Sequence, residues 1–587
     1  MSYLNTPRLT FSGRFQADPS TVNNDVTHYN NATFQPNYQD YQTDEDANGW
    51  WNPDGTGNFK LSNCTVKKVY YKDGSSTTNS EEDPIIGMNV SDINSKVAGK
   101  IVDLDPQQQM VSELWGLVIR INENGTDYMM GDYEVAPFTN IWFNRSTDLK
   151  LDAAAAAIYQ SVIKNIKWDI EGTNSRYLKE LYAESESELS IQFTVDRYNG
   201  DFTSSDFTYG RIVGSIGPSK NSEPKHGLLG RQLFPLEKTC NYGVAIFEED
   251  KKKITLDLAN SLQFGYKEIS NVHTIHSGVI EVSDIGVVEN KNLALAVNSG
   301  TSKNPNYTFL GKIDYKAKEW YEVDAGVSTF NLSEQECKLV ADNPLEIVSY
   351  HASQRNVFDL ESTISPVFQE QIDYVFADNF VFRMNDDEKY SSKLFATRLG
   401  NRLANKAVNF QLDTTNILGG GGNEPELGIP TQAISFPNSI QTNSEGEANL
   451  EMQAFNPGDP RIYIDGQLYA ISYALEGQMF SQCNPNNFLS IHIYTKLDKK
   501  TIAKPTWADL QPIMQQYANL YPLMSKGIFN LASQQVVDKN AEILKFVFSK
   551  EKTDPNYMPA TRDLSRDKSQ MILNYLDAIL EKLKDKA

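Results

Sequence analysis

The sequence predicts a mainly β, multidomain protein that contains β-sandwich regions and ends in a small all-α domain. Three observations predict this fold class: alternating apolar and polar residues through 1–345, a second series of short strands over 375–475, and helical spacing from residue 505. The 587 residues suffice for roughly three to five domains, because a domain averages about 150 residues. Domains of that size bury cores of their own.

The first region, residues 1–345, is predicted to be β-rich, with room for two subdomains. In RLTFSGRFQA, residues 8–17, the apolar side chains recur every second residue, which is typical of a half-buried strand. Further strands are predicted in LWGLVIRI, ELSIQFTV, YGVAIF, KITLDL and HSGVIEV. The segment DAAAAAIYQSVIKNI differs, because it spaces its apolar residues as a helical stripe, formed by Ile158, Val162, Ile163 and Ile166. We therefore expect a sheet-rich sandwich crossed by one or two helices.

Residues 346–374 are predicted to be a linker, and residues 375–495 a second β-sandwich. Short runs such as LFATRL, KAVNFQL and EANLEMQAF are separated by turn signals. RIYIDGQLYA predicts a hairpin with Asp465 and Gly466 at its turn, since this dipeptide favours tight turns with positive φ. The glycine-rich stretch Leu418 to Pro430 is predicted to be an exposed, mobile loop.

The last region, residues 505–587, has helical periodicity. Five apolar residues fall on one face of a first helix: Leu510, Ile513, Met514, Tyr517 and Tyr521. KNAEILKFVFSK predicts a second helix, and Ser565 is the expected N-cap of a third. That third helix is expected to bury Met571, Ile572, Tyr575, Leu576 and Ile579.

Charge and cysteine content exclude several classes of function. With 54 Lys and Arg against 76 Asp and Glu, the net charge is −22, which disfavours nucleic acid and anionic lipid as partners. Four cysteines, Cys64, Cys240, Cys337 and Cys483, show no metal-binding spacing, so free buried thiols in a reducing compartment are expected.

No targeting segment is evident in the sequence. The opening MSYLNTPRLTFSGRF lacks a secretory signal pattern, and no run reaches the about 18 apolar residues that span a bilayer. The sequence thus predicts cytoplasmic synthesis without membrane insertion, and any export would use a route that reads no N-terminal signal.

Three segments resemble known families. The run from Pro7 to Asp25 is similar to the start of iminophenyl-pyruvate dimer synthases of violacein biosynthesis. That resemblance implies a β-rich region, a ferritin-like part and oxidative coupling of tryptophan-derived imines. A ferritin-like di-iron site needs two E-x-x-H pairs, whereas only Glu223 and His226 form one among the six histidines. The coupling activity is therefore not carried over.

The second resemblance is to the immunoglobulin-like repeats of bacterial invasins. GNRLANKAVNFQL followed by QTNSEGEANLEM has their pattern, carried by Gly400, Leu403, Val408, Phe410, Thr442, Gly446 and Ala448. This likeness implies a sandwich that presents a binding surface outside the cell.

The third resemblance is to a c-type cytochrome domain, over 505–587. Pro512, Ile513 and Tyr517 match its first helix, and Met558-Pro559 matches its later loop. The cysteine positions hold Ala518 and Tyr521, and the histidine position holds Pro522, so haem attachment is impossible. We expect a helical domain without haem; an unrelated three-helix bundle is the alternative.

Other candidate sites have structural alternatives. His273 and His276 form H-x-x-H, but residues three apart on a strand face opposite sides. Asp103 and Asp105 would supply acid/base groups or calcium ligands on one side of a strand, or belong to a turn ending at Pro106. Gly210 to Gly217 lacks the spacing of a phosphate or dinucleotide loop, which favours backbone bends.

These observations assign no catalytic, cofactor-binding or metal-binding residue. The leading hypothesis is a non-catalytic binding or structural protein with a protein partner, for example cargo or an accessory part of a phage-tail-like contractile injection system. The alternative is an enzyme or accessory subunit of oxidative coupling in indole-type natural-product biosynthesis.

Overall fold

The computed structural model describes residues 2–18, 26–39, 58–92, 99–146, 149, 151–264, 291–351, 364–415, 417, 426–520 and 528–585. Within these ranges the chain is mainly β, and its helices concentrate at the C-terminal end. The predicted fold class is confirmed. No described helix is both long and apolar enough to cross a membrane.

The first unit, named the ring unit, closes a sheet on itself. Eight antiparallel strands follow the order β1-β2-β4-β7-β8-β10-β11-β12 and return to β1, and β9, β6 and β5 extend from β10 as a flap. One helix, α1 (Arg176–Glu184), is capped by the Ser175 side chain and buries Tyr177, Leu178 and Leu181 in the ring core. The strands are β1 (Arg8–Ala17), β2 (Phe59–Tyr70), β3 (Ser76–Thr77), β4 (Asn89–Ser91), β5 (Lys100–Asp105), β6 (Gln108–Trp115), β7 (Val118–Glu123), β8 (Thr126–Tyr133), β9 (Ala136–Trp142), β10 (Ala156–Trp168), β11 (Leu189–Asp196) and β12 (Tyr209–Pro218).

Two local predictions for this unit are wrong. The helix expected over residues 152–166 is largely strand β10, which pairs with β8, β9 and β11. Its β-branched residues favour a strand, and pairing on both sides outweighs the helical spacing. LWGLVIRI is divided between β6 and β7, because Gly116 adopts a φ of +68° between them.

The second unit is one curled sheet with the order β17-β16-β19-β20-β13-β14-β15-β18. Residues 346–374, predicted to be a linker, instead contribute most of β19 and all of β20 to this sheet. The elements are β13 (Arg231–Pro235), β14 (Gly243–Glu248), β15 (Lys253–Asp257), β16 (Lys291–Asn298), β17 (Tyr307–Ile313), α2 (Lys318–Glu322), β18 (Val327–Asn331), α3 (Glu334–Asp342), β19 (Leu345–His351) and β20 (Ser365–Gln371).

The second unit also covers part of the ring. The polar residues Arg8, Thr10 and Ser12 on the outer face of β1 are buried. Thr10 and Ser12 donate hydrogen bonds to the carbonyl oxygens of Val323 and Glu322. The first half of β1 is therefore buried on both faces, although its sequence predicts a half-buried strand.

The third unit is a sandwich of two sheets, β21-β23-β28-β26 and β22-β30-β29-β25-β27. Strands β21, β23 and β28 match A, B and E of an immunoglobulin domain, and β25, β29 and β30 match C, F and G. The strands are β21 (Asp373–Ala377), β22 (Val381–Met384), β23 (Lys389–Arg398), β24 (Asn401–Arg402), β25 (Ala407–Leu412), β26 (Ile434–Ser435), β27 (Ser439–Gln441), β28 (Glu447–Ala454), β29 (Gln467–Leu475) and β30 (Phe488–Ile493).

The predicted Asp465-Gly466 hairpin does not form. Only β29 is a strand here, beginning at Gln467, and Gly466 but not Asp465 has a positive φ. Of the predicted mobile loop, residues 418–425 lie outside the described residues. The part that follows is held by Gln467, whose Nε2 donates to the carbonyl oxygens of Glu426 and Ile429.

The C-terminal unit is helical, as predicted. Ser565 caps α8 by accepting from the Lys568 N–H, so that predicted N-cap is confirmed. The core contains Met514 and Tyr517 of α5 and, from the N-terminal segment, Val26 and Tyr29. Tyr521 and Pro522 lie outside the described residues. The helices are α4 (Lys499–Ala503), α5 (Trp507–Leu520), α6 (Gln534–Lys539), α7 (Ala541–Phe548) and α8 (Arg566–Lys584).

Candidate functional site

Buried arginines mark the contacts between the units. Among the described residues, five arginines are less than 2% exposed: Arg8, Arg145, Arg231, Arg461 and Arg562. Arginine is almost never fully buried unless its charge is compensated and its N–H groups are bonded. Four of the five contact a residue of a unit other than their own. The fifth, Arg231, pairs with Glu370 within its own unit, the second.

Arg461 joins the sandwich to the flap of the ring unit. Its two Nη atoms donate to the two carboxylate oxygens of Asp105 on β5, each at 2.8 Å. The remaining N–H groups donate to Gln107 Oε1 and to the carbonyl oxygens of Asp465 and Gly466. All five donors are thus satisfied, and this fork geometry is the strong form of an ion pair.

The Arg461 contacts explain the missing hairpin. The Arg461 guanidinium group donates to the carbonyl oxygens of Asp465 and Gly466. These bonds fold the backbone of residues 461–466 around the guanidinium group, so the segment does not extend as a strand. Gly466 is also required by space, since a Cβ there would lie 2.1 Å from the Ile493 carbonyl oxygen. Ile462, which follows Arg461 in this segment, is 80% exposed.

The Asp105 carboxylate is held in its charged form. Burial alone would raise the pKa of Asp105, but the Arg461 charge and hydrogen bonds lower it below its usual value. Burial lowers the pKa of the neighbouring His492 to about 4, although Asp105 favours the charged imidazole. His492 Nε2 donates to the Asp465 carbonyl oxygen at 2.8 Å. At neutral pH the cluster therefore holds one positive and one negative charge.

A second pair reinforces the same contact. Arg383 on β22 donates to Glu113 on β6, and both side chains are less than 10% exposed. Around these pairs an apolar cluster contains Leu104 and Val111 of the flap together with Leu468 of β29. The flap is therefore fixed on the outer face of one sandwich sheet.

The ring and second unit meet through a cation–aromatic cluster. Arg145 and Arg211 lie over the Phe264 ring at 4.2 and 4.8 Å from its centroid. Asp196 accepts from Arg211 at 2.6 Å and from the Tyr321 hydroxyl at 3.1 Å. Buried cations over aromatic rings attract them electrostatically, so this cluster fixes the second contact.

The structure separates the residues that the sequence singled out. Asp105 belongs to the Arg461 pair, whereas Asp103 accepts from Ser112, and burial raises the Asp103 pKa to about 7. His273 and His276 lie outside the described residues. Gly210 to Gly217 falls within β12 of the ring. All four cysteines are free thiols.

His226 of the single E-x-x-H match borders a cleft between the three β-rich units. The cavity there has a volume of about 90 Å³. Aromatic and amide side chains line much of it, among them Tyr242, Tyr374, Phe376, Asn140 and Asn486. Apart from tyrosines, its titratable side chains are His226 and Asp257, and no lysine, arginine or glutamate of the described residues lines it.

His226 has one ring nitrogen without a hydrogen-bond partner. Its Nδ1 lies 3.0 Å from the Asp378 carbonyl oxygen, which only accepts, so Nδ1 carries a proton. In the neutral ring Nε2 is then an acceptor, and it has no hydrogen-bond partner in the described part of the chain. Among the described residues no group of three or more His, Cys, Asp and Glu is placed to hold a metal ion.

Sequence reasoning missed the arginine contacts. Asp105 and Arg461 are 356 residues apart, and no local sequence pattern links them. Net charge, which guided the exclusion of partners, carries no information on which arginines are buried.

Comparisons with known proteins give distant likenesses. No protein family and no curated protein sequence matches the chain. Among solved structures, the D0-D1 domain of intimin is similar at 10% identity, covering 42% of this chain and 92% of that one, with a TM-score of 0.14. The adhesin InvE of Yersinia pseudotuberculosis is similar at 11% identity, covering 43% and 55%, with a TM-score of 0.14. At these scores the likeness carries no argument, and the immunoglobulin-like assignment rests on strand order.

Proposed function

We propose that this chain is a non-catalytic binding or structural protein whose units form one rigid support. The observation that carries the proposal is the burial of arginines at the contacts between units. Each guanidinium group had to leave water, which is costly unless its partners are fixed in place. Such contacts favour one relative arrangement of the units over a flexible array.

The saturated bonding of the Arg461–Asp105 pair favours a structural role over catalysis. An acid, base or nucleophile needs a group that can reach a substrate. The Asp105 carboxylate instead accepts hydrogen bonds from both Nη atoms of Arg461 and from the Gln107 backbone N–H, so it is not available to a substrate. The cleft beside His226 is the place we assign to binding, because aromatic and amide side chains line much of it.

Spin-label distances test the rigid arrangement. Labels on Glu123→Cys at the end of β7 and Glu451→Cys on β28 report ring-to-sandwich distance, since both residues are exposed. The half-buried Cys483 is replaced by serine in this background. We expect one narrow distance distribution, and Arg461→Leu should broaden it. A broad distribution in the parent would contradict a rigid support.

The enzyme alternative has its own test. Metal analysis and an absorption spectrum of the purified full chain should show neither stoichiometric iron nor a Soret band. Either signal would favour oxidative coupling and overturn the non-catalytic proposal.

We also propose a protein partner, and export by a contractile injection system. The support is the sequence alone. Epitope-tagged protein should sediment with sheath particles and appear in the medium of cells that make the sheath. It should be missing from the medium of cells that lack the sheath. Equal amounts in the medium of both kinds of cell would exclude this route.

A further inference from the structure

Lys100, Asn58 and Asp18 meet where three strands of the ring unit begin or end. Asp18 follows β1, Asn58 precedes β2 and Lys100 begins β5. The Asp18 N–H donates to the Asn58 carbonyl oxygen at 2.9 Å, and the Phe59 N–H donates to the Gly99 carbonyl oxygen at 2.6 Å. The backbone therefore holds the three residues side by side.

The amine of the half-buried Lys100 touches the side chain of the buried Asn58. Lys100 Nζ donates to Asn58 Oδ1 at 2.5 Å, which brings the amine next to the amide carbon. Asn58 is 4% exposed and Asp18 is 2% exposed. The adjoining Phe59 is 1% exposed and stacks on Phe15. Bulk water thus has little access to this group of side chains.

Two electrostatic effects act on the amine. Burial, together with the positive charges of Arg562 and Lys60 and against the opposing Asp18 charge, lowers the pKa of Lys100 to about 8. A neutral amine is the nucleophilic form of lysine, and desolvation is one of the ways in which proteins activate it. The Asp18 carboxylate acts on the same amine electrostatically.

We propose that Lys100 and Asn58 form an intramolecular amide bond. The Lys100 amine, once neutral, attacks the Asn58 amide carbon; a C–N bond to Nζ forms, the bond to Nδ2 breaks, and ammonia leaves. One Lys amine and one Asn carboxamide thus become one secondary amide and one ammonia, so the step requires no oxidant or other co-reactant.

Asp18 is the proton carrier of this step. It takes a proton from the attacking Nζ and delivers one to the departing Nδ2, and so ends as it began. An uncatalysed amide exchange would expel a strongly basic leaving group, which the delivered proton avoids.

The bond would connect the flap covalently to the ring. Lys100 is the first residue of β5 and Asp105, which pairs with Arg461, is the last. Force on the sandwich would then pass through the ion pair and along β5 into β2. Formation of this bond does not depend on what the protein binds, so the inference is tested separately from the proposed function.

Intact mass spectrometry of the purified full chain tests the bond. The mass should be lower than the sequence mass by one ammonia, and tandem spectra of a proteolytic digest should contain a branched peptide joining Lys100 to Asn58. Lys100→Arg and Asn58→Ala should each restore the mass calculated for the variant. Lys60→Arg, which changes a neighbouring lysine on β2, should keep the deficit.

Succinimide formation at an asparagine also releases ammonia, so hydroxylamine provides the control. It cleaves a succinimide but leaves a secondary amide intact, and a deficit that hydroxylamine removes would overturn the proposal. A parent chain of full sequence mass, or a deficit that persists in Lys100→Arg, would overturn it as well. Asp18→Asn should remain unlinked; linkage at the parental rate would overturn the role of Asp18. Circular dichroism of each variant verifies that an unlinked chain is folded.

Discussion

Arg461 and Arg562 are both fully buried beside the ring unit, but their charges are compensated in different ways. Arg461 forms a two-pronged pair with Asp105. Arg562 donates to three backbone carbonyl oxygens, those of Lys552, Ala560 and Asp554, and lies 5.8 Å from the Trp115 ring centroid. No carboxylate of the described chain forms a salt bridge with Arg562.

This difference shows that a buried arginine is stabilised either by a countercharge or by neutral hydrogen-bond acceptors. At Arg461 a full countercharge keeps the pKa of Asp105 low. At Arg562 burial lowers the pKa to about 10, because carbonyl dipoles and aromatic rings compensate the charge only in part. Removing Arg461 leaves a buried anion behind, whereas removing Arg562 leaves neutral acceptors.

The largest effect is expected for Arg461→Leu. This change leaves the Asp105 carboxylate buried without its countercharge. Breaking a buried ion pair in this way lowers the free energy of unfolding by roughly 3 to 5 kcal/mol. Urea unfolding of the full chain, followed by tryptophan fluorescence, measures the loss. The double variant Asp105→Leu/Arg461→Leu should recover much of it, because neither charge remains. A double variant as unstable as the single one would show that the ion pair is not the cause.

A smaller loss is expected for Arg562→Met. The change leaves buried carbonyl oxygens without hydrogen-bond donors but leaves no uncompensated charge. The unpaired oxygens lower the free energy of unfolding by roughly 1 to 3 kcal/mol. The same unfolding measurement applies. A loss as large as that of Arg461→Leu would mean that the countercharge does not distinguish the two contacts.

Lys552, whose carbonyl oxygen accepts from Arg562, makes this contact pH-dependent. Burial, together with the Arg383 charge and against the opposing charges of Asp563, Glu113 and Glu388, lowers the pKa of Lys552 from 10.5 to about 8. Since the folded value lies below the unfolded one, the charged lysine costs stability below pH 8, and this cost disappears as the pH rises from about 8 to 10.5.

We therefore expect Lys552→Met to be more stable than the parent by roughly 1 to 3 kcal/mol at pH 7. The advantage should vanish by a pH near 10.5, the ordinary value for lysine. Thermal unfolding across this range measures it. Lys504→Met, at an exposed position, is the control that should follow the parent at every pH. A pH-independent advantage of Lys552→Met would indicate packing rather than charge.

How much the sequence revealed depends on the range of the interactions involved. Strand β1 and the Ser565 N-cap were predictable because alternation and capping are local signals. Strand β10 was not, since its pairing partners override the helical spacing of Ile158 and Ile163. The candidate site was least predictable, because Arg461 acquires its role from Asp105 in another unit, and the same contact removes the expected hairpin.

The smallest effect is expected for an arginine with ideal pairing but no burial. Arg398 donates to both carboxylate oxygens of Asp373, at 2.7 and 2.9 Å, with a geometry as good as that of Arg461. Its side chain, however, is 60% exposed, so water already solvates both charges and salt screens them. Arg398→Ala should therefore leave the unfolding midpoint unchanged within error, in low and in high salt. Because Arg398 and Arg461 share their bonding geometry, a loss comparable to that of Arg461→Leu would show that pairing geometry, and not burial, sets the strength of the contacts between the units.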